Sequence, residues 1–167
     1  MKVLVPLDGS TVSLSVLRHV RRVLEPSLQA NEKIAGYIAA IPADDPIPRP
    51  SPLPKPVKLH FLRVLDSWPA TQPVVPPETQ ASMEREAEES LESVAREHFP
   101  DVETVCHIVW SRDPATTIIE FAEAFDVDAI AMATHGRSGV SRLLAGSVAE
   151  RVIRESERPV IVHRPRE

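Results

Sequence analysis

Apolar residues change their rhythm along this chain, from short runs to helical spacing and back. Residues 2–7 (KVLVPL) form an apolar run that ends in the turn residues Asp8-Gly9-Ser10. Val12, Val16, Leu17, Val20 and Leu24 then follow at helical spacing, which predicts a helix over 11–24. Residues 58–65 (KLHFLRVL) read as a second strand. Over 78–99, Ala81, Ala87, Leu91, Val94 and Ala95 share one face of a helix and a row of glutamates takes the other. Residues 103–110 (ETVCHIVW) are a third strand. Asp113-Pro114 is a helix cap followed by proline at the first helical position, opening a helix to about Phe125. Residues 127–134 (VDAIAMAT) are a buried strand, Ser147 with Glu150 is a capping box opening a helix to Glu155, and 159–163 (PVIVH) is a last strand. Strands that alternate with helices predict an α/β fold with a parallel, doubly wound sheet.

One stretch breaks the rhythm. Seven of the 17 prolines fall within 42–56, six of them at every second position from Pro46 to Pro56. Proline fixes φ, lacks an N–H and forces its predecessor to extended geometry, so this stretch is neither helix nor central strand. It reads as a polyproline II arm spanning roughly 30 Å. The insertion covers about 25–57, with NEKIAGYIAA (31–40) as one extra short helix, and it leaves from the amino ends of the strands. Packing as an arm or dimer contact, recognition of a protein partner, and disorder are its three readings. No two prolines within it stand three apart, which disfavours a PxxP ligand.

The 167 residues suit one domain, 1–167, with the insertion inside it. The formal charge of −5 provides no basic excess for a nucleic-acid backbone. Between Glu78 and Glu97, seven Glu and two Arg carry a charge equal to that total, so the rest of the chain is balanced and the acidic helix face is simply solvated. No apolar run approaches the ~20 residues of a membrane span. The N-terminus meets Pro6 and Asp8 where a secretory segment would be apolar, so the expected location is cytoplasmic. One cysteine, Cys106 in an apolar strand, excludes an internal disulfide and a cysteine-based zinc site. His60 and His107, also on strands, read as structural.

Ligands of open parallel sheets bind beyond the carboxyl ends of the strands, at the switch point. Two loops leave from there. One is Pro6-Leu7-Asp8-Gly9-Ser10. The other is Thr134-His135-Gly136-Arg137-Ser138-Gly139, which continues to Gly146-Ser147 at a helix start. Free N–H groups at that start, glycines that permit close approach, the Ser147 hydroxyl and the charges of Arg137 and Arg142 make a phosphate cradle. Asp8 would accept hydrogen bonds from a ribose or adenine. Each feature also has a plainer reading: Ser147 as helix cap, Gly136 and Gly139 as turn formers, Asp8 as a turn residue, His135 as a loop hydrogen-bonder, and the arginines as solvated. Trp68, Pro69, Pro73, Pro76 and Pro77 follow strand 2 on the ligand side, where they would form a flap. No catalytic base has an evident orienting partner, and no metal cluster is visible.

VLVPLDGS and the segment from DPATTIIEF to PVIVHRP resemble the universal stress proteins, across roughly 1–24 and 58–167. Nucleotide-binding members carry G-x2-G-x9-G-[ST] after strand 4. Here the register is Ala133-x2-Gly136-x9-Gly146-Ser147. Ala133 replaces the first glycine, with a methyl group that would crowd a phosphate. Arg112 replaces a small residue that often stands before Asp-Pro in the family. The resemblance implies a five-stranded sheet of order 3-2-1-4-5 and a homodimer joined through the last strand, Val160–His163. It further implies a stress-response regulator that binds ATP with Mg²⁺, or another adenine nucleotide, and at most hydrolyses it slowly. By the same resemblance, Asp8 and Val64 face ribose and adenine. Gly136, Gly146, Ser147 and Val148 hold phosphates, with His135 and Arg137 beside them, and Pro6 shapes the first loop. The alternative is a dimeric interaction module that holds no nucleotide because of Ala133. Adenylate-handling enzymes of related fold carry HxGH or SGGxDS after strand 1, and PLDGS is neither. A flavin role is a further alternative, excluded by a colourless preparation.

Overall fold

A computed structural model describes residues 1–40, 56–67, 76–134 and 147–165; the side chains of 34–40 and of Ser147 are outside that description. Its strands are β1 (Lys2–Pro6), β2 (Lys58–Asp66), β3 (Glu103–Ser111), β4 (Ala129–Ala133) and β5 (Val160–His163). Its helices are α1 (Thr11–Leu14), α2 (Val16–Ala40), α3 (Pro77–His98), α4 (Pro114–Ala124) and α5 (Ser147–Glu155). The strands form one parallel sheet in the order β3-β2-β1-β4-β5, as expected. The order reverses between β1 and β4, which is where such sheets leave a crevice.

Alternation along the strands divides the core. Val3, Val5, Phe61, Leu59 and Ala131 meet Val16, Leu17, Val20, Leu24, Leu91 and Ala95 on the α2/α3 side. Leu4, Leu62, Ile130 and Met132 meet Ala115, Ile118, Ala122, Ala149 and Val152 on the α4/α5 side.

The first helix needs correction. A separate short helix at 31–40 is not present. After the turn at Ser15, α2 runs unbroken through Pro26 to Ala40. Pro26 and Arg22 are exposed, so the Arg22 carbonyl that loses its backbone donor can bond to water. Leu28 extends the buried stripe one turn beyond Leu24, and no glycine intervenes before Gly36. Pro76 and Pro77 are also not flap residues. They cap and open α3, where proline's fixed φ suits the first turn. The rest of that flap (68–75), most of the proline arm (41–55) and the loop 135–146 lie outside the described residues.

Asp113 caps α4 as expected, accepting from Thr116 N at 3.2 Å. The same helix ends at Asp126 in the left-handed region, φ 48°, where Val127 N donates back to Ala122 O at 3.1 Å.

Candidate functional site

β1 and β4 end side by side, and a cleft of about 340 Å³ opens at their carboxyl ends. β1 and its loop contribute Pro6, Leu7 and Asp8. Leu62 and Val64 come from β2, Met132, Ala133 and Thr134 from the end of β4, Pro114 and Ile118 from α4, and Val148 and Ala149 from α5. Ser13 of α1 completes the described lining. The walls are therefore largely apolar, with one carboxylate at the rim. Such a cleft suits a flat apolar ring with a few polar groups at its edge.

Asp8 is held by its own turn. Ser10 N donates to Asp8 Oδ1 at 2.8 Å, and Ser10 then caps α1 by accepting from Ser13 N at 3.1 Å. Burial pushes the Asp8 carboxyl up. The hydroxyls of Ser10 and Ser13, the Ser10 N–H and the charge of Arg63 outweigh it, so Asp8 sits below its ordinary value. It is a carboxylate at neutral pH, an acceptor only. The ligand group it meets must donate, as a hydroxyl or amine does and a phosphate does not.

Gly9 has φ +83°, and a methyl group there would collide with the Arg63 guanidinium. The guanidinium therefore lies against the backbone of the loop that carries Asp8. Arg63 was absent from the sequence expectations, because it faces the α2 side of β2 and reaches this loop only across the strand pairing Pro6↔Leu62. Thr134 opens the second candidate loop, where the sequence assigns it no role of its own. Thr134 lines the cleft, and its Oγ1 is buried without a hydrogen-bond partner among the described residues. A buried hydroxyl left unpaired is uncommon, and a bound molecule or water at this position would satisfy it.

Of the expected site residues, Pro6, Asp8, Val64, Ala133 and Val148 line one cleft. His135, Gly136, Arg137 and Gly146 lie outside the described residues, and of Ser147 only the backbone, opening α5, is described. Arg112 is not among the lining residues. Ala133 continues the alternation of β4: Met132 points into the α4/α5 layer, and Ala133 packs against the core of the α2/α3 layer.

The walls are fixed to each other. Arg151 of α5 donates to both oxygens of Asp113, at 2.6 and 2.8 Å, and to Thr116 Oγ1 at 2.7 Å. The Arg151 hydrogen bonds, joined by those from Thr116, hold the Asp113 carboxyl down at about 2. α5 is thereby clamped to the start of α4, and Val148 and Ala149 face Pro114 and Ile118 across the cleft.

Among the described residues no group of three His, Cys, Asp or Glu is placed to hold a metal ion, and no helix is long and apolar enough to cross a membrane.

The pattern of the universal stress protein family matches residues 54–164. The chain belongs to the universal stress protein family. Universal stress protein MJ0531 of Methanocaldococcus jannaschii is 30% identical over 161 residues, covering 96% of this chain and 80% of that protein. The solved structure of MJ0577 from the same organism superposes with a TM-score of 0.64 at 22% identity, over 99% of this chain and 96% of that one. A universal stress protein from Archaeoglobus fulgidus, solved in complex with dAMP, superposes with a TM-score of 0.53 at 20% identity, over 97% and 96%. At these identities the two superpositions establish a common fold.

Proposed function

We propose that this universal stress protein binds an adenine nucleotide in the cleft at the carboxyl ends of β1 and β4 and acts as a regulatory homodimer. The observation that carries the reading is the pairing of an apolar slot with a deprotonated Asp8 and the unpartnered Thr134 hydroxyl. Leu62, Val64, Ile118 and Met132 offer the base an apolar bed. Asp8 accepts from ribose hydroxyls or the exocyclic amine. The phosphates run toward the start of α5, where unpaired N–H groups and the helix dipole favour negative charge. Gly136, Gly146, Ser147 and Val148 hold them, with His135 and Arg137 alongside. A solved family member that holds dAMP supports the choice of an adenine nucleotide.

The methyl of Ala133 packs into the α2/α3 layer, on the far side of the sheet from Val64 and Ile118. The replacement of the first motif glycine therefore leaves the base slot open. Where ATP is the nucleotide, Mg²⁺ accompanies it, held by phosphate oxygens and water, since Asp8 is the only carboxylate on the described lining.

Two features support the dimer. β5 is a sheet edge, and Val162 on it is 40% exposed, with Ile153 of the adjacent helix 48% exposed. A short apolar edge strand invites a second strand, which a symmetric copy supplies.

Calorimetry with millimolar ATP and AMP tests the reading. Saturable heat, together with an adenine nucleotide released on heating the purified protein, is expected. No heat and no released nucleotide would overturn it and leave a dimeric interaction module.

A further inference from the structure

A second cavity of about 570 Å³ lies along the outer face of α1 and α2, in the helix layer away from the nucleotide cleft. Thr11, Leu14, Ser15, Arg18, His19 and Arg22 line it from these helices, joined by His98 of α3 and by His163 and Pro165 at the end of β5. Its composition opposes that of the whole protein. The chain carries a net charge of −5, yet the described lining holds two arginines, three histidines and no carboxylate.

Arg18 and Arg22 are four residues apart and so are neighbours on the helix surface, two like charges that repel. Neither has an acidic partner among the described residues, whereas Arg21 between them turns away to pair with Asp101. His19 and His163 stack with ring centroids 5.6 Å apart and planes at 25°, both half-buried between α2 and the sheet edge. The groove thus offers two guanidinium forks, three imidazoles and the hydroxyls of Thr11 and Ser15, all able to donate. Guanidinium forks match phosphate oxygens in pairs. From Thr11 to Arg22 the helical face extends roughly 16 Å, more than one anionic group fills.

We infer that this groove is a second ligand site, for a multivalent phosphate anion. None of the described residues that line it lines the nucleotide cleft, although α1 borders both.

Calorimetry at low salt with inorganic triphosphate tests it on the whole protein, with and without saturating adenosine, which fills the base end of the cleft and leaves its phosphate end open. The unaltered protein is expected to give heat. R18S/R22S is expected to bind about a hundredfold more weakly, one factor of ten for each lost guanidinium. R85S/R96S, which removes the same charge from α3, is expected to bind as before. The ring protons of His19 and His163 should shift on binding. ATP added in place of triphosphate separates a nucleotide's phosphate tail from a free phosphate chain, and heat from either that is lost in R18S/R22S supports the site. Heat from neither, or equal losses in the two double variants, overturns it. The R18S/R22S comparison separates this site from the nucleotide cleft, because neither arginine lines that cleft.

Discussion

The α4 face of β2 and β3 ends in two different ways. At the carboxyl end, Leu62, Val64, Pro114 and Ile118 leave a cleft of about 340 Å³. At the amino end, the same strands and helix are closed by four rings. His60 and His107 stack at 5.3 Å and 7°, Phe121 meets His107 at 4.7 Å, and Phe125 stacks on Phe121 at 4.1 Å. His60 is 4% exposed, and its Nδ1 lies 3.1 Å from His107 Nε2, so one ring must donate and the other accept. The two ends share β2 and α4. Large planar side chains fill one, and branched aliphatics with a proline leave the other open. The cleft is thus a consequence of side-chain size at one end of a helix, in a molecule able to close the equivalent space elsewhere.

Filling the open end should have the largest effect. Val64→Trp places an indole in the slot, and nucleotide affinity should fall about a hundredfold, near 3 kcal/mol, while the melting temperature changes little. Calorimetry and thermal denaturation read the two. The reverse change, Phe121→Ala, should cost about 2–3 kcal/mol of stability in denaturant unfolding and leave nucleotide affinity within a factor of about two. If Phe121→Ala weakened binding as strongly as Val64→Trp, the two ends would not be separate.

A smaller effect is expected at the cleft's rim. Gly9→Ala should destabilise by about 1–2 kcal/mol because of its positive φ, while the Arg63 guanidinium can swing aside. Arg63→Ala should instead leave stability nearly unchanged and raise the Asp8 pKa, followed by carboxyl NMR titration.

The smallest and most diagnostic effect is that of pH on the filled end. Burial lowers the pKa of both His60 and His107; at His60 the His107 ring, Lys58 and Lys2 lower it further and Glu103 opposes them. A depressed histidine binds fewer protons folded than unfolded. Its contribution to stability is therefore present above the ordinary value near 6.5 and is lost as the pH falls below it. Denaturant midpoints at pH 7.5 and 5.5 should differ accordingly. H60F/H107F, which keeps two stacked rings and removes both titrations, should flatten that difference. An unchanged difference would place the acid sensitivity elsewhere.

The contrast between the ends also marks what the sequence made legible. Strand and helix order followed from apolar spacing, and the sheet order followed from the resemblance carried by VLVPLDGS and the DPATTIIEF segment. The length of α2 did not. A proline at 26 and a polar stretch after it look like a helix end, yet Leu28 packs onto the core one turn beyond Leu24 and the helix continues to Ala40. In the cleft, Pro6, Asp8, Val64, Ala133 and Val148 could be named because they lie at strand ends or in a spaced motif. Ile118 and Pro114 could not, nor could Arg63 beside the rim, since their positions depend on how α4 and β2 face β1. The ring cluster was hidden for the same reason. His60 and His107 read as structural, but nothing in their spacing placed Phe121 and Phe125 against them.

The most direct test of the nucleotide cleft is an NMR titration with AMP that follows the methyl groups of the α4/α5 layer. The shifts should concentrate at Leu62, Val64, Ile118 and Val148, and the rings of His60, His107, Phe121 and Phe125 should stay still. No shift at those four residues at millimolar AMP, or shifts centred on the ring cluster, would contradict the account.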